Sequence, residues 1–424
     1  MRRAAPIGAA ALAGGLVFAV ATPALAQVDL VSPGVFSGQI DVRLSASDGE
    51  TSWTQGGFGK TRYGGSGAGE TVRLQIASAD LVWRPRLAWD LSGFVDAVAQ
   101  PDQAHGVDLS EAYVLYKPLP RADGLRYSAR AGLMYPPVSM ENDGPAWTPS
   151  RTITPSAIDS WIGEEVKTWG GEATIARRWE DQEVSATAGV FAGDDTSGTL
   201  LTWRGWALHD VRSTAFGDFP IPQVPAAHKP FFATSQGPYS RSVDEIDGRP
   251  GVYARAEWRA PGAVTVNLFY YDNAGDRTSV VNGQWSWDTT FWNLGLRLKP
   301  DDKTEVLAQA MTGRTVTGFV TPVGWRVDAG FDAAYLLVSH DLGKDLVTGR
   351  IDGFQVRDHT FQTLDNNNER GWALTADYRH PVTEQLAALV EVLHVYSDRP
   401  SRAYVGQAPR QAQTTIQTAL KLAF

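Results

Sequence analysis

The end of the chain alternates apolar and polar side chains at every second position and stops on an aromatic residue. In the stretch from Thr414 to Phe424, Ile416 and Leu420 share one face of an extended strand and Lys421 lies on the other. Such a strand fits a site with lipid on one side and water on the other. Because lipid cannot satisfy the open edge of a sheet, this pattern predicts a closed β-barrel.

Similar alternating segments, each of about ten residues, recur along the chain and are separated by short connections with turn chemistry. A tilted strand of this length is long enough to cross a bilayer. We predict about seven tight turns. They lie at residues 84–86, 117–124, 179–182, 259–262, 299–302, 341–344 and 380–383.

Longer polar intervals separate the same segments at their other ends. They lie at residues 47–70, 100–107, 135–161, 193–250, 273–287, 314–324, 358–368 and 398–409. Short turns on one side and long loops on the other are typical of outer-membrane barrels, which have even strand numbers. The sequence therefore predicts an all-β fold, a transmembrane antiparallel β-barrel of about 16 strands. Alternation at Leu200, Trp203, Trp206 and Leu208, assigned to the 193–250 loop, leaves 18 strands possible.

The N-terminus has the three parts of a secretory signal. Basic residues at Arg2 and Arg3 precede an apolar run, and a small-residue motif from Ala24 to Ala26 precedes Gln27. We expect a signal peptide at residues 1–26 and the barrel at residues 27–424. Beyond Gln27 no apolar run is long enough for a transmembrane helix, and the mean hydropathy is −0.22. Both observations are compatible with a barrel, since only alternate residues meet lipid.

Aromatic residues fall near both ends of the predicted strands, as expected for the two interfaces of a bilayer. The row near the short turns contains Trp83, Tyr116, Trp179, Trp258, Tyr378 and Phe424. The row near the long loops contains Tyr270, Trp292, Trp325, Trp372 and Tyr396.

Alternation also predicts which side chains face the lumen. From Arg326 to Ala333 it assigns Val327, Ala329, Phe331 and Ala333 to lipid, and Arg326, Asp328 and Asp332 to the interior. The lumen must contain water, because so many charges cannot be buried without partners. The predicted basic lining consists of Arg73, Arg126, Arg130, Arg255, Arg259, Arg297, Lys299, Arg326, Arg379 and Lys421. This lining would favour anions; a wall of paired charges with little selectivity is the alternative.

Two of the long intervals could narrow the lumen. The interval 135–161 is rich in proline, and its charged residues are the candidates for a constriction: Glu141, Asp143, Arg151 and Asp159. The interval 193–250 is the second candidate. Each loop could instead cap the outside of the barrel.

Residues between Leu109 and Gly163 resemble the phosphate-selective porin O and P family of Gram-negative outer-membrane porins. The resemblance rests on three stretches: Leu109-Ser110-Glu111-Ala112-Tyr113, Ala131 to Pro137 with Glu141-Asn142, and Trp161-Ile162-Gly163. It implies a homotrimer of sixteen-stranded channels with an arginine- and lysine-lined path for anions such as phosphate. The expected location is the outer membrane of a Gram-negative bacterium.

The remaining features argue against other classes of function. The net charge of −9 argues against nucleic-acid binding, and the absence of cysteine excludes disulfides. No HExxH or GxSxG motif is present, so we expect no catalytic site, no metal site and no cofactor. The expected partners are outer-membrane lipid and small hydrophilic or anionic solutes. A barrel enzyme of the lipase or protease type and a secreted soluble β-protein remain the alternatives.

Overall fold

The chain folds into one closed antiparallel barrel of sixteen strands, in agreement with the predicted fold class. The computed structural model describes residues 28–65, 69–227, 236–260, 262–318, 326–359 and 364–424. The predicted signal peptide, residues 1–26, lies outside these ranges. Each strand pairs with its neighbours in sequence, and the last strand pairs with the first.

The barrel strands are numbered here in chain order. They are β1 Phe36–Ser47, β2 Thr71–Trp83, β3 Leu91–Ala99, β4 Asp108–Tyr116, β5 Leu125–Met134, β6 Thr168–Trp179, β7 Gln182–Ala192, β8 Gly251–Ala260, β9 Val264–Asp272, β10 Asp288–Leu298, β11 Thr304–Gly318, β12 Arg326–Asp341, β13 Leu346–Asp358, β14 Glu369–Pro381, β15 Leu386–Asp398 and β16 Arg410–Ala423. All seven predicted turns connect consecutive strands on one side of the barrel. The two ends of the barrel sheet meet on that same side, where Gly38 and Phe424 exchange backbone hydrogen bonds of 2.9 and 3.1 Å.

The outer surface of the barrel is apolar over much of its height. Large side chains that protrude from it include Leu74, Leu294, Ile351, Leu374 and Ile416. Trp179, Trp258 and Phe424 are exposed near the turns, and Trp292 and Trp372 are exposed toward the loops, as the two aromatic rows predicted. Trp325 lies outside the described residues. No helix in the described part of the chain has the length and apolar character needed to cross a bilayer.

Strand β12 faces the opposite way from the prediction. Its predicted lipid-facing residues are buried inside the barrel: Val327, Ala329, Phe331 and Ala333. The alternate polar positions therefore face outward: Arg326 and Asp332 are partly exposed, and Asp328 is buried next to Arg314 and Arg326. The assignment of Arg326 to the lumen was wrong.

The reversal of β12 has a physical cause in the loops. The ring of Phe331 packs inside the barrel on Trp161 and Trp206, with ring centroids 5.1 and 6.1 Å apart. Both tryptophans belong to connections between strands. Because these loops fill part of the lumen with apolar side chains, the inward face of β12 is dry. Alternation separates two faces of a strand but does not show which one meets water.

The described residues of three long loops, 48–70, 135–167 and 193–250, fold into the barrel, and the middle of the 135–167 loop reaches the turn-side half. They contain two helices, α1 Ala157–Glu165 and α2 Thr199–Trp203, and both are buried over their whole length. Of the apparent strand pattern at 200–208, Leu200 and Trp203 belong to helix α2 and Trp206 and Leu208 to the irregular segment after it, so the pattern adds no barrel strand. The loops also contain the short 3-10 helices Trp53–Gln55 and Pro145–Trp147; two more lie at Pro33–Val35 and Pro400–Val405. Two small hairpins pair Phe219–Pro220 with Tyr239–Ser240 and Val280–Val281 with Gln284–Trp285.

Candidate functional site

The turn-side half of the lumen contains an open cavity of about 370 Å³ against the inner wall of β8, β9 and β10. Four basic side chains and two carboxylates contribute to its lining. The basic residues are Arg255, Arg259, Arg297 and Lys299, and the acids are Asp143 and Glu257. We call this region the cationic vestibule. All four basic residues were predicted from alternation to face the lumen.

One carboxylate in the vestibule is shared between two guanidinium groups. Arg255, Glu257 and Arg259 occupy every second position of β8, so their side chains leave the strand on the same face. Glu257 forms ion pairs with both arginines, and its oxygen lies 2.8 Å from Arg259 Nη2. One negative charge therefore stands against two positive ones. About half of the surface of the Arg259 side chain is exposed.

A second group links the 135–167 loop to the same wall. Arg151 lies 2.5 Å from Glu305 and 3.0 Å from Asp143. Arg297 lies 3.3 Å from Asp143 and also donates to the carbonyl of Met140 at 3.1 Å. The predicted constriction residues Asp143 and Arg151 thus lie in the lumen beside the vestibule.

The other predicted lumen residues on β5 are paired with acids of neighbouring strands. Arg130 lies 2.6 Å from Glu172, which also accepts a hydrogen bond of 2.7 Å from Tyr253. Arg126 forms an ion pair with Glu183. Arg126 and Arg130 are thus each paired with an acid, as expected for a wall of paired charges, and these pairs leave no positive charge in excess.

The remaining basic candidates are spread around the barrel. Arg73 lies on the inward face of β2, opposite the exposed Leu74. Arg379 donates to the carbonyl of Ser150 in the 135–167 loop at 2.9 Å. Lys421 lies 3.9 Å from Asp41. The structure therefore brings Arg255, Arg259, Arg297 and Lys299 together but not the whole predicted set.

The 135–167 loop crosses the lumen and is held to the far wall by buried polar contacts. Glu141 lies 3.3 Å from Arg350, which also donates to the carbonyl of Thr154 at 2.7 Å. Glu391 accepts hydrogen bonds from the backbone of Ile153 and Thr154 at 2.8 and 3.0 Å. These contacts join the loop to β13 and β15, so the segment lies within the barrel.

Helix α1 follows this crossing segment and begins at a capped N-terminus. The Ser156 side chain accepts a hydrogen bond from the backbone of Asp159 at 3.2 Å, a standard N-cap contact. Asp159 is completely buried, and burial and the nearby Glu141 raise its pKa well above the usual range. Of the four constriction candidates, Asp159 thus lies within the packed loop core and does not line an open surface.

The 193–250 loop is tied to the wall by charges that the sequence analysis did not identify. Asp210 accepts from Arg43 at 2.8 Å and lies 3.1 Å from Arg62. Although burial favours the neutral acid, Arg43 and Arg62 hold the pKa of Asp210 well below its usual range. Arg43 could have been found from its alternation with Val42 and Leu44 in β1. Asp210 has no periodic signal, because it lies in an irregular loop.

The arrangement nearest to a catalytic one is buried and structural. Glu164 of α1 forms an ion pair with Arg204 and a hydrogen bond of 2.6 Å with the ring of His209, and all three side chains have no exposed surface. The Ser160 hydroxyl contacts the backbone of His209, not its ring. No solute can reach these groups in this packing, and they join α1 to the 193–250 loop.

Three acidic side chains in the loops approach one another within 4.8 Å: Asp195, Glu245 and Asp247. Oxygens at this spacing could hold a cation. Their oxygens accept backbone hydrogen bonds, including 2.5 Å from Ile246 to Asp195 and 2.6 Å from Gly193 to Glu245. Burial and the two neighbouring acids raise the pKa of Asp195 to about 7. These hydrogen bonds explain the three acids as part of a network of polar turns, in which like charges lie close together.

No protein-family model matches the chain, and the search of curated proteins finds no relative. Among solved structures, the outer membrane channel DcaP of Acinetobacter baumannii is similar, with a TM-score of 0.53 and 11% identity over 93% of this chain and 99% of DcaP. Further matches are OprB of Pseudomonas putida (TM-score 0.49, 12% identity, covering 92% of this chain and 94% of OprB) and an L8-deletion mutant of OmpT, an outer membrane protein of Vibrio cholerae (0.49, 8%, 92% and 98%). The chain thus has the fold of Gram-negative outer-membrane β-barrels.

Proposed function

We propose that this protein is an outer-membrane porin, a water-filled channel for passive diffusion of small hydrophilic solutes that prefers anions. The cationic vestibule carries the proposal. It is an open cavity inside a closed barrel, and four basic side chains stand there against two carboxylates. A local surplus of positive charge concentrates anions at a pore, whatever the net charge of the whole chain.

Several further features support a channel. An arginine can leave its shared carboxylate and bind a passing anion, since Glu257 neutralises only one of its two neighbours. The 135–167 and 193–250 loops would narrow the path and limit it to small solutes. DcaP, which has a similar fold, is described as an outer membrane channel.

Within this proposal, phosphate is a candidate solute, as the resemblance to the phosphate-selective porin O and P family implies. Guanidinium groups pair well with phosphate oxygens, because two parallel hydrogen bonds can form. Assembly as a homotrimer is also part of the proposal. Export would use residues 1–26 as a signal peptide.

Ion selectivity in planar bilayers tests the role of the vestibule. The triple variant Arg255→Gln, Arg259→Gln and Arg297→Gln removes three positive charges and should shift the reversal potential in a salt gradient toward cation preference. Glu257→Gln removes one negative charge at the same place and should shift it in the opposite direction. Arg177→Gln is the matched control, because Arg177 lies on the outward face of β6.

Both shifts should shrink as the salt concentration rises, since ions screen exposed charges. Equal reversal potentials for the wild type, the triple variant and Glu257→Gln would contradict the assignment of the vestibule as the selectivity site. A shift of the reversal potential in Arg177→Gln, with none in the vestibule variants, would contradict this assignment as well.

A further inference from the structure

A compact group of charged residues lies on the outer surface of the barrel, near the loop-side ends of β11, β12 and β13. It consists of Arg314, Arg326, Asp328, Asp332 and Arg357, with His359 at its edge. The reversed facing of β12 places these side chains outside, so they take no part in the lumen. We call the group the outer charge cluster.

The two carboxylates hold the guanidinium groups in place. Arg314 Nε lies 2.6 Å from Asp328 Oδ1, and its Nη2 lies 2.5 Å from Oδ2, which makes a bidentate pair. Arg326 also pairs with Asp328. Asp332 pairs with Arg357 and accepts from Thr312 at 2.7 Å.

The cluster retains free binding capacity for an anion. Three arginines stand against two aspartates, so one positive charge is in excess. The side chains of Arg314 and Arg357 keep 52% and 47% of their surface exposed. Each guanidinium has five N–H donors, and the aspartates use only part of them.

The outward residues change from charged to apolar over a few register steps below the cluster. One row of paired residues is Thr312, Asp332 and Gln355, and the next row toward the turns is Ala310, Ala334, Gly353 and Trp372. The row after that is Ala308, Leu336, Ile351 and Leu374. This sequence of rows is expected where lipid headgroups give way to hydrocarbon, with Trp372 at the boundary.

An apolar groove of about 620 Å³ lies on the outer surface and begins at the last of these rows. Leu336, Val338 and Ile351 line it together with Leu374 and Val392. Gly349 forms its floor, and a Cβ atom there would meet nothing within 4 Å. The groove begins roughly 13 Å below Asp332, four residues along β12 at the usual strand rise.

We propose that the outer charge cluster and the groove form a binding site for a phosphate-bearing lipid of the outer leaflet. The phosphate contacts Arg314, Arg326 and Arg357, and an acyl chain lies in the groove. Charge complementarity favours this occupant over a second copy of the chain, because two copies would bring surplus positive charges together. The site is separate from the channel, and its test does not involve conductance.

Binding of bis-phosphorylated lipid A to the purified protein in detergent micelles tests this proposal. The wild type should bind it saturably, and lipid A without phosphates should bind at least about tenfold more weakly, since charge-assisted hydrogen bonds are lost. The triple variant Arg314→Gln, Arg326→Gln and Arg357→Gln should show a loss of similar size. Arg410→Gln is the matched control, because Arg410 is an exposed arginine near the loops that is paired with Asp398 on other strands.

A second variant tests the groove without removing charge. Gly349→Trp should fill the groove and weaken lipid binding, while β-barrel circular dichroism stays unchanged. Equal affinity for the two lipids, or unchanged affinity in the triple variant, would overturn the proposal. A change in oligomeric state with unchanged lipid binding would assign the surface to a subunit interface and would also overturn it.

Discussion

At the residue scale, a carboxylate shared between two arginines is the recurring arrangement in this barrel. Glu257 is shared in the vestibule, Asp210 in the 193–250 loop and Asp328 on the outer surface. Each arrangement fixes two guanidinium groups. One positive charge is in excess at Glu257 and at Asp328, but not at Asp210, because Arg43 and Arg62 pair also with Asp41 and Asp102. The group at Asp210 anchors a loop, and the groups at Glu257 and Asp328 are the ones that we propose as a solute site and a lipid site.

The acidic group in the 193–250 loop gives a prediction for pH. The pKa of Asp195 is raised to about 7 from an unfolded value near 3.8, so the folded protein holds this proton more tightly. Its contribution to stability is therefore present below pH 3.8 and is lost as the pH rises through 7. Asp195→Asn should raise the free energy of unfolding at pH 8 by about 1–3 kcal/mol relative to the wild type.

Urea unfolding followed by tryptophan fluorescence measures this difference. Asparagine can still accept the hydrogen bonds from Ile246 and Asp247, so the turn should be kept. The advantage of Asp195→Asn should disappear at pH 4. A variant that is less stable than the wild type at pH 8 would count against this account.

At the element scale, alternation was most reliable where one face of a strand meets open water. In β8 and β10 the side chains assigned to the interior, among them Arg255, Glu257 and Arg297, line an open cavity. Alternation gave the wrong facing for β12, where the inward face packs on Trp161 and Trp206. The turns were predictable because local turn chemistry is sufficient to identify them. The insertion of the loops into the barrel could not be predicted, since it depends on contacts between distant segments, such as the one between Ile153 and Glu391.

Helix α1 should hold the 135–167 loop inside the barrel through Trp161. This side chain is 1% exposed and packs on Phe291 and Phe331. Trp161→Ala should lower the free energy of unfolding by about 3–5 kcal/mol, as expected for a large aromatic residue lost from a core. The loosened loop should also raise the single-channel conductance.

Trp169→Ala is the control for this prediction. Trp169 is the second residue of β6, is 42% exposed and faces away from the lumen, so its loss should leave the conductance unchanged. The measurements are thermal unfolding in detergent and conductance in planar bilayers. Equal conductance of Trp161→Ala and the wild type would show that α1 does not limit the path.

At the scale of the whole molecule, the acidic chain and the cationic vestibule are compatible. The net charge of −9 belongs to the entire sequence, and the field at a solute depends on the few groups around it. The even number of strands and the closure of the barrel could be predicted from the turns and from the alternating segments. The identity of a solute does not follow from these patterns, because in the proposed channel it would depend on a width that the three packed loops set.

The most direct test of a solute path through the barrel is the conductance of the wild-type protein in a planar bilayer under a salt gradient. The purified protein, checked for β-structure by circular dichroism, should insert with discrete conductance steps and a reversal potential of anionic sign. Folded protein that inserts without any conductance would contradict a channel, and a reversal potential of cationic sign would contradict the role given to the vestibule.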